Sequence, residues 1–183
     1  ILAVAGPIDI DRTFSCVERR FGSIVDSRPP CCAQHLPPEP DPSQARCQTV
    51  RRPVAADAFY RTYLMCDRHD GMFPAMDLLS DILSNGDSSR LRRRLVKEQG
   101  LFSEIDACVT SDLDRGLFVI SGKLCDGVDM ALAERAVDAE LHRLSDEPDF
   151  DRELDKVVNK FESTFLFSHY RVADRAHNLC YYQ

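Results

Sequence analysis

The apolar residues follow two patterns along the chain, one typical of helices and one typical of strands, and segments of each pattern come in groups. Helical spacing of three and four residues recurs in six segments, while apolar segments of strand length recur in five. The predicted helices cover residues 9–22, 72–85, 88–100, 126–144, 154–165 and 172–180. The predicted strands cover residues 1–6, 48–54, 58–66, 101–110 and 116–124.

The order of these elements indicates the fold class. Strands 101–110 and 116–124 are separated by a short polar turn, which predicts an antiparallel hairpin. Because the strands form hairpins and the helices come in groups, we expect an α+β fold, a two-layer sandwich whose antiparallel-rich sheet is covered on one face by helices. The length of 183 residues favours a single domain, 1–183. The proline-rich stretch 26–47 predicts an irregular loop.

The stretch 77–105 has the clearest local boundaries. Gly86 tolerates the left-handed backbone that ends a helix, and Gly100 ends the following helix in the same way. Ser88 or Ser89 is predicted to start that second helix by accepting hydrogen bonds from its first amide groups. A strand follows directly. Two helices and a strand are therefore predicted to join here with almost no connecting residues.

Charge and hydropathy exclude some classes of partner. The formal net charge of -7 argues against nucleic acid, since a phosphate-binding face needs clustered Lys and Arg. The basic cluster Arg90 to Arg94 is interpreted as a solvated helix face. No apolar run approaches the roughly 18 residues of a membrane span, so none is expected. Because the chain begins at Ile1 rather than Met, we expect a fragment of a longer chain.

Eight cysteines raise the question of a metal or disulfide site. Five are scattered singly, as expected for small apolar residues. Cys31, Cys32 and Cys47 lie with His35 in the proline-rich loop, and these four residues form an alternative metal-binding site. Because vicinal cysteines fit one tetrahedral site poorly and no C-x-x-C pair is present, we favour thiols without metal.

No catalytic constellation is found in the sequence. A zinc protease with a helical zinc motif needs two His one helical turn apart with a Glu between them, as H-E-x-x-H or H-x-x-E-H, and neither is present. The five histidines are isolated, and no G-x-S-x-G elbow occurs. We therefore predict no catalytic residue and no cofactor in this chain.

Several short motifs follow one another in an order that is typical of one family. An apolar strand with Gly and an acidic residue precedes a helix ending in Phe-Gly, and a Gly-x-Ser-Ser-Arg-Leu turn precedes two Gly-Leu strands. The motifs are Val4 to Gly6, Asp9, Phe21-Gly22, residues 86–91, Gly100-Leu101 and Gly116-Leu117-Phe118. Together they resemble the non-zinc domain of the insulinase or pitrilysin-type zinc metallopeptidases, which include the mitochondrial processing peptidases.

The resemblance implies the fold of those peptidase domains and a role beside the catalytic one. In the family, two halves of paired domains enclose a peptide chamber, and the H-x-x-E-H motif lies on a preceding domain, so zinc is expected in another domain of the parent enzyme. The implied function is a non-catalytic domain that packs on the zinc-motif domain, of the same chain or a paired subunit, and walls the chamber around a peptide substrate. The strand from Leu101 can present its edge to such a peptide. The alternative is an assembly or scaffold subunit without a peptidase role.

The family also supplies expectations for individual residues. Its second half carries a substrate-contacting Arg and Tyr, and their positions fall on Val96 and Ser103, neither of which can stabilise an oxyanion. The alternative is that Arg94 substitutes for the Arg from a shifted position. The predicted chamber or interface residues are Ser88, Ser89, Arg90, Arg94 and Ser103. The first three are expected to fix the helix joint, although capping and core packing explain Ser88 and Ser89 equally well.

Overall fold

A three-stranded antiparallel sheet carries the hydrophobic core of the protein. The computed structural model describes residues 1–25, 40–110, 114–145 and 150–181. Within these ranges the strands are β1 (Ala58–Leu64), β2 (Phe102–Val109) and β3 (Leu117–Leu124), in the spatial order β1–β3–β2. The central strand β3 pairs with both neighbours, so β1 and β2 are the edges of the described sheet. The predicted hairpin and the α+β class are confirmed.

The helices follow the predicted groups closely. In the described ranges they are α1 (Ile10–Phe21), α2 (Phe73–Ser84), a π-helix (Arg92–Glu98), α3 (Met130–His142), a 3₁₀ turn (Arg143–Ser145), α4 (Phe150–Ser168) and α5 (Val172–Tyr181). The chain divides into two units, Ile1–Pro38 with Phe161–Gln183, and Glu39–Lys160. The sheet belongs to the second unit. The assignment of 1–183 to one domain stays a prediction.

One face of the sheet is covered by helices and the other is open. On the covered face, Phe59, Phe118 and Ile120 are buried and pack with residues of α2, the π-helix and α3. Burial of each such side chain stabilises the fold by about 1.5–3 kcal/mol. On the opposite face, strand alternation places Tyr60, which is 74% exposed, beside its β3 partner Ser121. The two-layer arrangement is therefore the one the sequence predicts.

The joint between the helices and β2 has a backbone that the sequence only partly predicts. Gly86 and Gly100 adopt positive φ of 92° and 62°, as expected for residues that end helices. The second helix, however, is wound as a π-helix, since the Gln99 amide donates to the Arg94 carbonyl five residues back (2.9 Å). The predicted serine cap is wrong for Ser89, whose hydroxyl donates to the Gly86 carbonyl at 2.7 Å instead of accepting from an amide.

Two predicted strands are absent from the described chain. Residues 1–6 and 48–54 are not in a sheet, and most of their side chains are exposed. In the second segment the Val54 amide donates to the Arg52 carbonyl at 3.0 Å, which closes a tight turn around Pro53. A strand also needs neighbouring backbone to pair with, and no described strand pairs with either segment. Apolar patterning alone therefore predicted two strands that the described chain does not form.

The first unit contains the predicted N-terminal helix. Asp9 caps α1 by accepting from the Arg12 amide at 2.8 Å, and the helix ends at Gly22 as predicted. Several of its apolar side chains are exposed in the described residues, with Phe14 at 71%. In the C-terminal part of this unit, the Phe165 ring lies 4.5 Å from the His169 ring in an edge arrangement.

None of the helices in the described ranges combines the length and apolar character needed to cross a membrane.

Candidate functional site

A groove runs along the outer edge of β2, between that strand and α2. We call it the β2 groove; its volume is about 670 Å³. Consecutive residues of β2 from Glu104 to Val109 line one side, and polar residues of α2 line the other. It opens toward the uncovered face of the sheet at Tyr60 and Ser121. The remaining lining residues are Asp77, Ser80, Asp81, Ser84, Asn85, Gly86, Arg92, Gly122 and Lys123.

The backbone of β2 directs hydrogen-bonding groups into this groove. The Ser84 hydroxyl of α2 donates to the Ala107 carbonyl at 3.0 Å, which shows that this carbonyl points away from β3. The Thr110 amide, by contrast, donates to a β3 carbonyl at 2.8 Å. Because alternate residues of a strand direct their backbone groups to the same edge, those of Ile105 and Val109 also face the groove. β2 therefore presents a partly covered strand edge.

The groove is acidic. We call Asp77, Asp81 and Asp106 the groove aspartates; Glu104 adds a fourth carboxylate, which pairs with Lys123 at 2.7 Å. That pairing raises the pKa of Lys123. The pKa of Asp77 is also raised, first because burial disfavours its charged form and second because Asp81 lies nearby. The groove aspartates therefore leave a local excess of negative charge.

An exposed cysteine lies on the wall of the groove. Cys108 belongs to β2 and is largely exposed. Its pKa is raised, first because the groove partly removes the thiol from water and second because of the charge of Asp106. A thiol in this environment is poorly nucleophilic, because the thiolate is the reactive form. The sequence predicted Cys108 as a small apolar residue in a strand, and only its alternation with Ala107 could have indicated its outward position.

The predicted helix joint is held by ion pairs in the interior. Arg90 is fully buried, its Nε lies 2.6 Å from a Glu153 carboxylate oxygen, and its guanidinium lies 5.9 Å from the centre of the Phe150 ring. Arg94, only 15% exposed, contacts the buried Glu140 at 2.7 Å. The interpretation of this cluster as a solvated face is therefore wrong for these two arginines. Carboxylates distant in sequence neutralise them.

The three predicted serines lie in two different places. Ser88 accepts a hydrogen bond from the Lys156 ammonium of α4, and Ser89 is buried at the joint beside Arg90. Ser103 lies on β2, where its hydroxyl donates to the Lys123 carbonyl at 3.2 Å. The structure thus brings Ser88, Ser89 and Arg90 together and leaves Ser103 apart. Their role at a chamber or domain interface stays a prediction.

The described residues contain no group of three or more His, Cys, Asp or Glu side chains arranged to hold a metal ion. Of the alternative metal-binding residues, Cys47 is exposed. Cys31, Cys32 and His35 lie outside the described residues.

Comparison of the sequence with protein families matches residues 1–161 to the peptidase M16 inactive domain. The chain belongs to this family, and the resemblance to the non-zinc domain of insulinase-type peptidases is confirmed. No curated protein matches the sequence significantly.

Solved structures support the same assignment. A protease from Helicobacter pylori has a TM-score of 0.86 at 21% identity, over 97% of this chain and 43% of that protein, which shows the fold. The inactive peptidase domain of a proposed zinc protease from Bordetella parapertussis has a TM-score of 0.56 at 27% identity, over 67% of this chain and 66% of that domain. A peptidase M16 inactive domain from Pseudomonas fluorescens has a TM-score of 0.51 at 23% identity, over 57% of this chain and 26% of that chain. This chain thus spans less than half of the Helicobacter protease.

Proposed function

We propose that this chain is the supporting, non-catalytic domain of a zinc metallopeptidase, packs on a zinc-motif domain, and walls part of the chamber that holds the peptide substrate. The zinc-motif domain belongs to the same polypeptide or to a paired subunit. Zinc is supplied by that partner, and this chain contributes surface and peptide contacts.

The observation that carries the proposal is the exposed side of the sheet. One face packs against helices, while the side chains of Tyr60 and Leu117 on the other face are exposed in the described residues. A sheet face with exposed Tyr60 and Leu117 is suited to a wall against which peptide or a neighbouring domain lies.

Two ion pairs in the interior hold the segment before β2 in place, and so position the sheet that forms the proposed wall. Arg90 and Arg94 connect the segment before β2 to α4 and α3 through Glu153 and Glu140. Because both arginines are engaged in the interior, we assign them to positioning β2 and not to contact with substrate. In this proposal Ser88 and Ser89 belong to the same joint.

The test combines the 183-residue chain with the zinc-motif domain of its own peptidase. We expect a stable complex by analytical ultracentrifugation and chelator-sensitive cleavage of an unstructured peptide. Cleavage should exceed that of the zinc-motif domain alone by roughly tenfold or more, since positioning of substrate supplies much of the rate. The chain alone should not cleave.

Two results would overturn the proposal. Chelator-sensitive cleavage by the purified chain alone would show that the chain is itself catalytic. Equal cleavage with and without the chain, despite formation of the complex, would favour the assembly or scaffold alternative.

A further inference from the structure

We propose that the exposed end of α4 docks into an apolar cleft of the zinc-motif domain. We call residues 161–170 the α4 tip; they are the last eight residues of α4 and the two residues that follow it. This inference rests on the proposed function and deepens it, because it names the surface through which the supporting domain holds its partner.

The α4 tip is apolar and exposed. Its large apolar side chains are between 52% and 82% exposed in the described residues, namely Phe161, Phe165, Leu166, Phe167 and Tyr170. Val157, one helical turn before the tip, is buried. The same helix therefore passes from a covered part to an uncovered one, and a contiguous apolar surface of this kind marks an interaction site.

Apolar side chains surround the α4 tip on more than one side. With 3.6 residues per turn, Phe161 and Phe165 share one side of the helix, while Phe167 projects from the opposite side. The Phe161 and Phe165 rings stack with their centres 6.4 Å apart, and the Phe167 ring centre lies 6.2 Å from that of Tyr170. A helix that is apolar all round belongs in an enclosed environment, which indicates a cleft rather than a flat contact.

The composition and shape of the α4 tip favour a different protein domain over lipid or a second copy. The tip contains Glu162 and no Lys or Arg, whereas helices that lie on anionic membranes carry basic residues on their polar face. In a symmetric pair of chains, two α4 tips would contact each other along the same side. The aromatic ring on the opposite side would then stay exposed.

Family membership supplies a partner of the required kind. A peptidase M16 inactive domain implies an accompanying catalytic domain. The fold of 97% of this chain recurs in 43% of the Helicobacter protease, so that longer protein has further polypeptide beyond this fold. The zinc-motif domain is therefore the partner to which we assign the cleft.

The direct test places a fluorescent reporter in the α4 tip. The sequence contains no Trp, so Phe167→Trp introduces a single indole at an exposed position. Adding the zinc-motif domain should shift the indole emission to shorter wavelength, because the ring leaves water; the wild-type chain with the same domain is the blank. No shift at saturating zinc-motif domain would overturn the inference.

The same reporter distinguishes the other partners. A shift that grows with the concentration of the chain alone would assign the tip to a second copy. A shift on adding vesicles of phosphatidylcholine and phosphatidylglycerol, without the zinc-motif domain, would assign it to lipid. Either result would overturn the inference.

Two variants test whether both sides of the helix are enclosed. Phe165→Ser and Phe167→Ser, made separately, should each weaken the complex by roughly tenfold or more in analytical ultracentrifugation, as expected for aromatic anchors in a pocket. The matched control is Met72→Ser, which removes a 60% exposed apolar side chain outside the tip and should leave affinity unchanged. Circular dichroism confirms that each variant is folded. A loss for Phe165→Ser alone would contradict a cleft, and losses no larger than that of the control would contradict docking through the tip.

The two proposals fail in distinguishable ways. If the wild-type chain assembles with the zinc-motif domain and assists cleavage, but both tip variants do so equally well, the inference fails and the proposed function stands. If the α4 tip docks as described but the complex cleaves peptide no faster than the zinc-motif domain alone, the proposed role in the peptide chamber fails.

Discussion

At the scale of single residues, Asp77 shows how a partly buried charged side chain can be unfavourable for the fold. Its carboxylate is partly buried in the β2 groove, near the like charge of Asp81. Both effects raise its pKa, which means that the folded protein holds the Asp77 proton more tightly than the unfolded chain does. The contribution of Asp77 to stability is therefore fully present below its ordinary pKa of 3.8 and is lost as pH rises through its raised pKa.

Asp77→Asn should stabilise the protein at pH 7, by about 1 kcal/mol or less, because it removes a poorly solvated charge. The gain should shrink as pH falls below the raised pKa, where wild-type Asp77 is already neutral. Urea unfolding at pH 7 and at pH 4 measures both values. A variant less stable than wild type at pH 7 would contradict this account.

The scale of residues is also where sequence reasoning failed most. Arg90 and Arg94 belong to a basic run, and such a run is usually solvated. Their carboxylate partners lie 63 and 46 residues away in sequence. Nothing local in the sequence indicates that these side chains meet, so the burial of both arginines could not be predicted.

At the scale of elements, local signals predicted most boundaries correctly. Helix caps and glycines act through neighbouring backbone groups, so Asp9, Asp129 and Gly100 mark the ends of their helices in sequence and structure alike. Strands 1–6 and 48–54 were wrong because pairing depends on a distant partner. The β2 groove was not predicted, since it arises from the packing of α2 against β2.

Gly100→Ala tests one of these boundaries. Gly100 has φ of 62° and open space around its Cα, so an added methyl group meets backbone strain without a clash. We expect a loss of about 1–2 kcal/mol in unfolding free energy. Gly71→Ala is the control, since Gly71 also has open space but no positive φ, and its effect should stay within about 0.5 kcal/mol. Similar losses in both variants would argue against strain at Gly100.

At the scale of the whole molecule, contacts between distant segments hold the sheet and helices of the second unit together. Glu140 of α3 is buried and contacts both Arg94 and Arg143 at 2.7 Å. One carboxylate therefore connects the segment preceding β2 to the helix that follows β3. The fold class followed from the order of elements, but this connection did not.

Glu140→Gln should destabilise the protein by about 2–4 kcal/mol, because Arg94 is left largely buried without its carboxylate. The control Glu162→Gln removes an exposed carboxylate on α4 and should change stability by no more than about 0.5 kcal/mol. Urea unfolding at pH 7 compares the two variants with wild type. A loss for Glu140→Gln as small as that of the control would mean that Arg94 does not depend on Glu140.

The hydrogen bond from Ser84 to Ala107 has a further consequence for how copies of the chain behave in solution. An open strand edge is a template for uncontrolled pairing between identical molecules, which leads to aggregates and fibres. By covering the carbonyl in the middle of the β2 edge, Ser84 interrupts the continuous ladder that such growth requires. A second β2 strand would meet an occupied acceptor and a surface of like charge. The Ser84 hydroxyl thus helps prevent the β2 edge from pairing with a second copy of the chain.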